Sequence, residues 1–150
     1  MIRFALLAML QRIARIFHRP PDFIINGDYL LRWWIIPRNK RFNIYLHCIA
    51  RDDDDRALHD HPWWNVSVIL RGAYREHMPG GASRILRPGR IVWRPATSLH
   101  RLEVVHGPVW TLFITGPRVR EWGFACPQGW VHWKAFTSED GRNVGKGCEQ

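Results

Sequence analysis

Beyond residue 22 the chain is cut at short intervals by glycine and proline, and this spacing constrains the fold more than any other feature. The cuts fall at Gly72, Pro79-Gly80-Gly81, Pro88-Gly89, Pro95, Gly107-Pro108 and Gly116-Pro117. The runs between them are rich in β-branched and aromatic residues. They are too short for amphipathic helices and suit strands. Strands are expected over residues 29–36, 43–50, 66–71, 73–78, 83–86, 90–94, 98–105, 109–115 and 118–124. Arg38, Asn39, Lys40 and Arg41 read as an exposed hairpin turn. Gly72 and Gly107-Pro108 read as breaks between strands. Many short strands with frequent turns imply an all-β fold, a sandwich or a barrel of the jelly-roll kind.

Helical periodicity is confined to residues 2–18. Ile2, Leu6, Met9, Leu10, Ile13 and Phe17 form an apolar stripe, with Arg12, Arg15 and Arg19 toward the other side. Pro20-Pro21 ends it. The stripe is expected to pack on the sheet; an interfacial membrane helix with a basic face is the lesser reading. The organisation expected is an N-terminal helix over residues 1–22, one barrel over 23–137, and a polar, Gly-containing, loosely ordered tail over 138–150.

The 150 residues suffice for one domain with a core, and 46% hydrophobic content argues against disorder. The net charge of +9 favours anionic partners. The arginines are scattered rather than gathered into an arm, so a solvated basic surface is favoured over nucleic-acid binding. Cys48, Cys126 and Cys148 are odd in number and form no CxxC pair. That pattern argues against a disulfide framework and for a reducing, cytoplasmic setting. The apolar run over residues 4–10 is far too short to span a membrane, and no small-residue cleavage site follows it. Asp52, Asp53, Asp54 and Asp55 lack the alternating ligands of an EF-hand loop and read as a solvated acidic loop, partly neutralised by Arg56.

The candidate chemistry lies in His59-Asp60-His61-Pro62-Trp63-Trp64-Asn65. Side chains two apart on an extended segment share a face, so His59 and His61 can aim at one point. His100 sits in a comparable context further on. Three neutral imidazoles on a rigid sheet suit a divalent transition metal. Trp63 shares the parity of His61 and is a candidate wall for a bound cofactor or ligand, while Trp64 points the other way. Glu76 is a candidate general acid/base or fourth ligand. Arg94 and Arg101 are candidate forks for a carboxylate or phosphate, with Arg101 taken as a catalytic candidate. His47 reads as a satisfied polar core or surface residue, and His77 and His106 as strand-end or turn residues.

Two segments resemble the motifs of the cupin superfamily. In the first, His59-x-His61 is followed by three residues, then Asn65 where the family has Glu, then six residues to Gly72. The family's opening Gly is missing. In the second, Gly89 is followed by five residues, Pro95-Ala96-Thr97, two residues and His100; Thr97 stands for a Gly, and Val104 for the closing Asn. The run from Asp55 through His59-Asp60-His61-Pro62-Trp63, and Trp110 to Gly116, is also similar to small single-domain cupins of bacteria and phages. The resemblance covers about residues 45–115. It implies a single-domain cupin-like (RmlC-like) jelly-roll β-barrel with the metal inside, and a fold and site rather than a reaction.

By the same resemblance, His59, His61 and His100 match the histidine ligands. Asn65 is expected to ligate weakly, to hold a water, or to act behind the ligands. Losing the carboxylate leaves the metal with a higher net charge, as in three-His cupins, which include thiol dioxygenases and a diketone-cleaving dioxygenase. The serine-histidine-tyrosine pattern of thiol dioxygenases is not evident, so that activity is not assigned. The expectation is a metalloprotein that resembles three-His Fe²⁺ dioxygenases and acts on a small anionic substrate, with Zn²⁺, Ni²⁺ and Mn²⁺ as alternative metals. The alternatives are a sugar or nucleotide-sugar isomerase or epimerase, and a non-catalytic binding module with a basic surface. Exposed sheet edges make a homodimer reasonable.

Overall fold

The computed structural model describes residues 11, 14–16, 18–52 and 57–149. Its strands are β1 (Phe23–Ile25), β2 (Leu30–Trp34), β3 (Asn43–Ile49), β4 (Leu58–His59), β5 (Asn65–His77), β6 (Ser83–Leu86), β7 (Ile91–Arg94), β8 (Arg101–Thr115), β9 (Gly123–Cys126) and β10 (Gly129–His132). All pairings are antiparallel. A seven-stranded sheet runs β1-β2-β3-β8-β5-β6, with β7 also paired to β5, and a three-stranded sheet runs β10-β9-β4. An isolated bridge between His59 and His100 joins β4 to the segment that enters β8.

Strict alternation sorts the side chains. Along β3, Leu46 and Cys48 face outward into a cluster with Trp33 and Ile35, while Ile49 faces the interior with Leu30, Ile69, Tyr74 and Val109. His47 therefore shares the interior parity of Ile49 and Tyr45. The outer cluster includes Ile16, which is buried. Ala14, Arg15 and Ile16 are helical. The remainder of the helix expected over residues 2–18 lies outside the described residues, apart from Gln11 and His18. Asp53 to Arg56 of the acidic loop lie outside them too; Asp52 accepts a hydrogen bond from the Val104 N–H at 2.6 Å.

Two expected strand breaks are not breaks. β5 runs through Gly72 and β8 through Gly107-Pro108. The register between them shifts around Arg71 and Ala73, the signature of a bulge. Gly72 has φ +75°, and a Cβ there would meet the His106 and Pro108 carbonyl oxygens at 2.6 and 2.7 Å. The glycine lets β5 bend while staying against β8, which a turn reading could not anticipate. The last strand also differs: β9 starts at Gly123, and β10 and the helical turn Trp133–Phe136 follow it.

The expectation against a disulfide is overturned. Cys126 and Cys148 are disulfide-bonded, and only Cys48 is free, buried on the outer face of β3. Spacing along the chain could not show this, because the partners lie 22 residues apart and meet only through the fold. Residues 138–149, expected to be loosely ordered, are tied to the barrel. The Asn26 N–H donates to the Arg142 carbonyl at 2.7 Å, and Gly145 and Gly147 N–H groups donate to the Phe136 carbonyl. Among the described residues no helix is long and apolar enough to cross a membrane.

Candidate metal centre

His59 and His61 flank Asp60 on the segment that leaves β4, and extended geometry sends the two imidazoles to the side opposite Asp60. Asp60 is buried and anchors the segment from behind. Its carboxylate accepts from the Gly123 N–H at 2.8 Å, from Arg120 at 2.5 Å and from the Trp130 indole at 3.1 Å. His100 is brought across by backbone pairing, His59 N–H to His100 carbonyl at 2.9 Å and the reverse at 3.0 Å. The candidate donor atoms of the three histidines lie within 4.8 Å of one another. Nε2 of His61 and Nε2 of His100 are 2.9 Å apart.

The protonation states suit a metal. Burial pushes the His59 pKa down from 6.5 to about 3, with the charges of His100 and Arg94 adding to it. Burial also holds His61 well below 6.5, reinforced by the neighbouring histidines, Arg94 and Arg32. His100 is lowered by burial too, although its hydrogen bond to Glu76 opposes the shift. All three are neutral at pH 7 and offer lone pairs.

Glu76 lies behind His100. It is buried, and Oε1 is 2.8 Å from Nδ1 of His100. Burial would raise the Glu76 pKa, but the hydrogen bonds and charges of His100 and Arg94 outweigh it and hold the carboxyl well below its usual value. The ionised carboxylate accepts a hydrogen bond from Nδ1–H, so Nε2 of His100 presents its lone pair toward His61. Arg94, also buried, bonds Glu76 through Nε, Ser67 at 2.9 Å, Asn65 at 3.3 Å and Tyr74 at 3.5 Å. Arg84 closes the network on Glu76 at 2.7 Å.

No protein-family model matches the sequence, and no curated protein matches it. Solved structures do match. A cupin superfamily protein from Desulfitobacterium hafniense is 19% identical, with 59% of this chain and 77% of that one covered at a TM-score of 0.50. KdgF from Halomonas sp. is 16% identical over 61% and 82% of the two chains at 0.51. The DMSP lyase DddQ from Ruegeria pomeroyi is 20% identical over 68% of this chain at 0.54, and the match spans 54% of DddQ. The fold is the cupin double-stranded β-helix.

The barrel holds two cavities beside these histidines that share lining residues. A deep cavity of about 60 Å³ is lined by all three histidines together with Arg32, His47, Ser67, Tyr74 and Arg94. A mouth cavity of about 430 Å³ is lined by His59, His61 and Trp63, by the aromatic walls Phe23, Trp122 and Trp133, and by residues 140–144. His59, His61, Tyr29, Leu30 and Arg32 line both.

The cupin barrel treats the other candidates differently. Trp63 stacks on His61, with ring centroids 4.8 Å apart and planes 11° apart, and walls the mouth. Asn65 is fully buried, lines neither cavity, and accepts from Arg94 at 3.3 Å. Glu76 lines neither cavity and is held by His100, Arg94 and Arg84. Arg94 is consumed by the same network. Arg101 opposes His77 at the far end of the β5–β8 pair and lines neither cavity. His47 is a satisfied core residue whose Nε2 accepts from Arg32 Nε at 2.8 Å. The sequence reading missed Asp60, hidden between two obvious histidines, and Arg32. The signal for Arg32 was parity: it sits between Leu30 and Trp34 on the inward side of β2.

Proposed function

We propose that this cupin is a metalloenzyme that binds one divalent transition metal through His59, His61 and His100 and acts on a small anionic molecule. The observation that carries the reading is the convergence of three neutral imidazoles where a deep and a mouth cavity meet. The donor set fits Fe²⁺, Zn²⁺ or Ni²⁺, and iron is the metal we assign in the cell. When bound, such a metal supplies Lewis-acid activation and, as iron, electron exchange with O₂. The chain's own contribution is to position and to exclude. Glu76 fixes the His100 ring, Asp60 fixes the segment carrying His59 and His61, and the aromatic walls of the mouth keep water from the ligand's apolar part. Anionic ligands are favoured by the +9 charge and by Arg32, Arg38 and Arg142 in the cavity walls, against one carboxylate, Asp140, among the described residues there.

Metal analysis of the purified protein beside His61→Ala tests the site. The wild type is expected to hold about one equivalent and the variant to lose most of it; equal contents would sink the assignment. Anaerobic Fe²⁺ loading followed by O₂ uptake over a panel of small acids and thiols tests the reaction. A filled site with no substrate-dependent uptake counts against the dioxygenase-like activity and leaves non-redox metal chemistry.

A further inference from the structure

Among the described residues Arg32 is the one guanidinium that lines both the deep and the mouth cavity, and no carboxylate of those residues consumes it. Arg94 also reaches the deep cavity, but Glu76, Ser67, Asn65 and Tyr74 occupy it. Among the described residues Arg32 pairs with no carboxylate; Nε donates to His47 and its two terminal nitrogens make no hydrogen bond. The strand register explains how it is held. Arg32 on β2 lies directly opposite His47 on β3, and both point inward. His47 is clamped between Tyr45 and Phe113, with ring centroids at 5.9 and 4.7 Å. Burial and the Arg32 charge keep His47 neutral, so its Nε2 stays an acceptor. The Arg32 guanidinium lies 4.8 Å over the Tyr45 ring, which adds a second constraint. Burial lowers its pKa to about 10, so it stays charged at neutral pH.

A guanidinium fixed through Nε and over one ring face at the wall of a cavity is built to receive a planar anion in two parallel hydrogen bonds. Leaving such a charge half-buried without a counterion is costly unless a ligand supplies one. The surroundings say what else that ligand carries. His61 and Trp63 stack beside the cavity, and Phe23, Trp122, Phe124 and Trp133 wall the mouth. The mouth volume of about 430 Å³ lies at the small end of ordinary ligand sites.

We propose that Arg32 is the anion anchor of this cupin, and that its ligands are small molecules bearing a carboxylate or phosphate on a flat or apolar body that occupies the aromatic mouth. The metal reading supplies the reacting centre beside the anchor, and the assignment of a substrate to that centre rests on it. The anchoring itself does not need the metal, and the test uses that.

Benzoate, phenyl phosphate and the neutral isostere benzamide are titrated into the metal-free and the Ni²⁺-loaded protein, followed by tryptophan fluorescence and calorimetry. An oxyanion is expected to bind at least tenfold tighter than benzamide in both forms. The ratio of benzoate to phenyl phosphate then tells which oxyanion the fork prefers. Arg32→Gln is expected to erase the advantage over benzamide, and Arg32→Lys to keep part of it, since Lys retains the charge without the fork. Equal affinity for benzamide and the anions, or no anion binding up to millimolar concentration, overturns the proposal. An anion preference that survives unchanged in folded Arg32→Gln also overturns it and transfers the role to Arg38 or Arg142. Should Arg32→Gln not fold, Arg32→Lys decides, and wild-type affinity and selectivity there count against Arg32. A wild-type protein of normal metal content that shows no anion preference refutes the anchor alone; equal metal content in wild type and His61→Ala refutes the metal reading alone.

Discussion

Replacing Glu76 separates the two loads that one carboxylate carries. Glu76 is 1% exposed and accepts from Arg94, from Arg84 at 2.7 Å and from His100 Nδ1 at 2.8 Å. Glu76→Ala leaves Arg94, itself 2% exposed, with only the neutral acceptors of Ser67, Asn65 and Tyr74. An uncompensated buried charge of this kind costs about 3–5 kcal/mol. For a chain of this size that is a fall in Tm of roughly 6–20 °C. Glu76→Gln keeps the shape and one acceptor, so its cost should be about half as large, because neutral hydrogen bonds are weaker than charge-assisted ones. The second load is the orientation of His100. Without an ionised partner Nδ1 no longer fixes the tautomer, and metal affinity should fall about 10–100-fold in Glu76→Gln. Urea unfolding of the metal-free protein, followed by tryptophan fluorescence, measures the first effect. Competition for Zn²⁺ against a chelating indicator measures the second. An Ala variant within about 1 kcal/mol of wild type would refute the buried-charge reasoning. A Gln variant with wild-type metal affinity would detach Glu76 from the metal site.

The metal-free protein should lose stability as pH falls below 6.5. His47, His59, His61 and His100 are held below that value in the folded state, so the unfolded chain takes up their protons first. The slope approaches about 1.4 kcal/mol per pH unit for each such histidine, and Glu76 adds to the loss below its ordinary 4.5. A urea midpoint that is flat between pH 7 and 5 would contradict this. Asp60→Ala should cost about 2–4 kcal/mol by stranding the Gly123 N–H, Arg120 and the Trp130 indole, and should weaken metal binding because His59 and His61 lose their anchor; unchanged metal affinity would show that the segment holds itself. Reducing the Cys126–Cys148 bond, or Cys148→Ser, removes a 22-residue closure and should cost about 3 kcal/mol. Faster proteolysis within residues 137–149 is the matching readout, and an unaltered cleavage pattern would argue that hydrogen bonds alone hold that segment.

The fold class and the grouping of His59 with His61 could be read from the chain alone. Both rest on local rules: glycine and proline cut the chain into strand-length pieces, and an i, i+2 spacing puts His59 and His61 on one face whatever the rest of the chain does. Asn65 and Glu76 show where that reach ends. Parity places a residue inside or outside, but not in front of a ligand or behind it, because depth within a barrel depends on which strands meet. Gly72 shows the same limit for the backbone: a turn and a bulge need the same positive φ, and only the neighbouring β8 selects the bulge. The pairing of Cys126 with Cys148, the inward aim of Arg32 and the grip of Asp60 on the β9–β10 hairpin are all contacts between segments far apart in the chain. Their energies exist only once the sheets close, so no local rule reaches them.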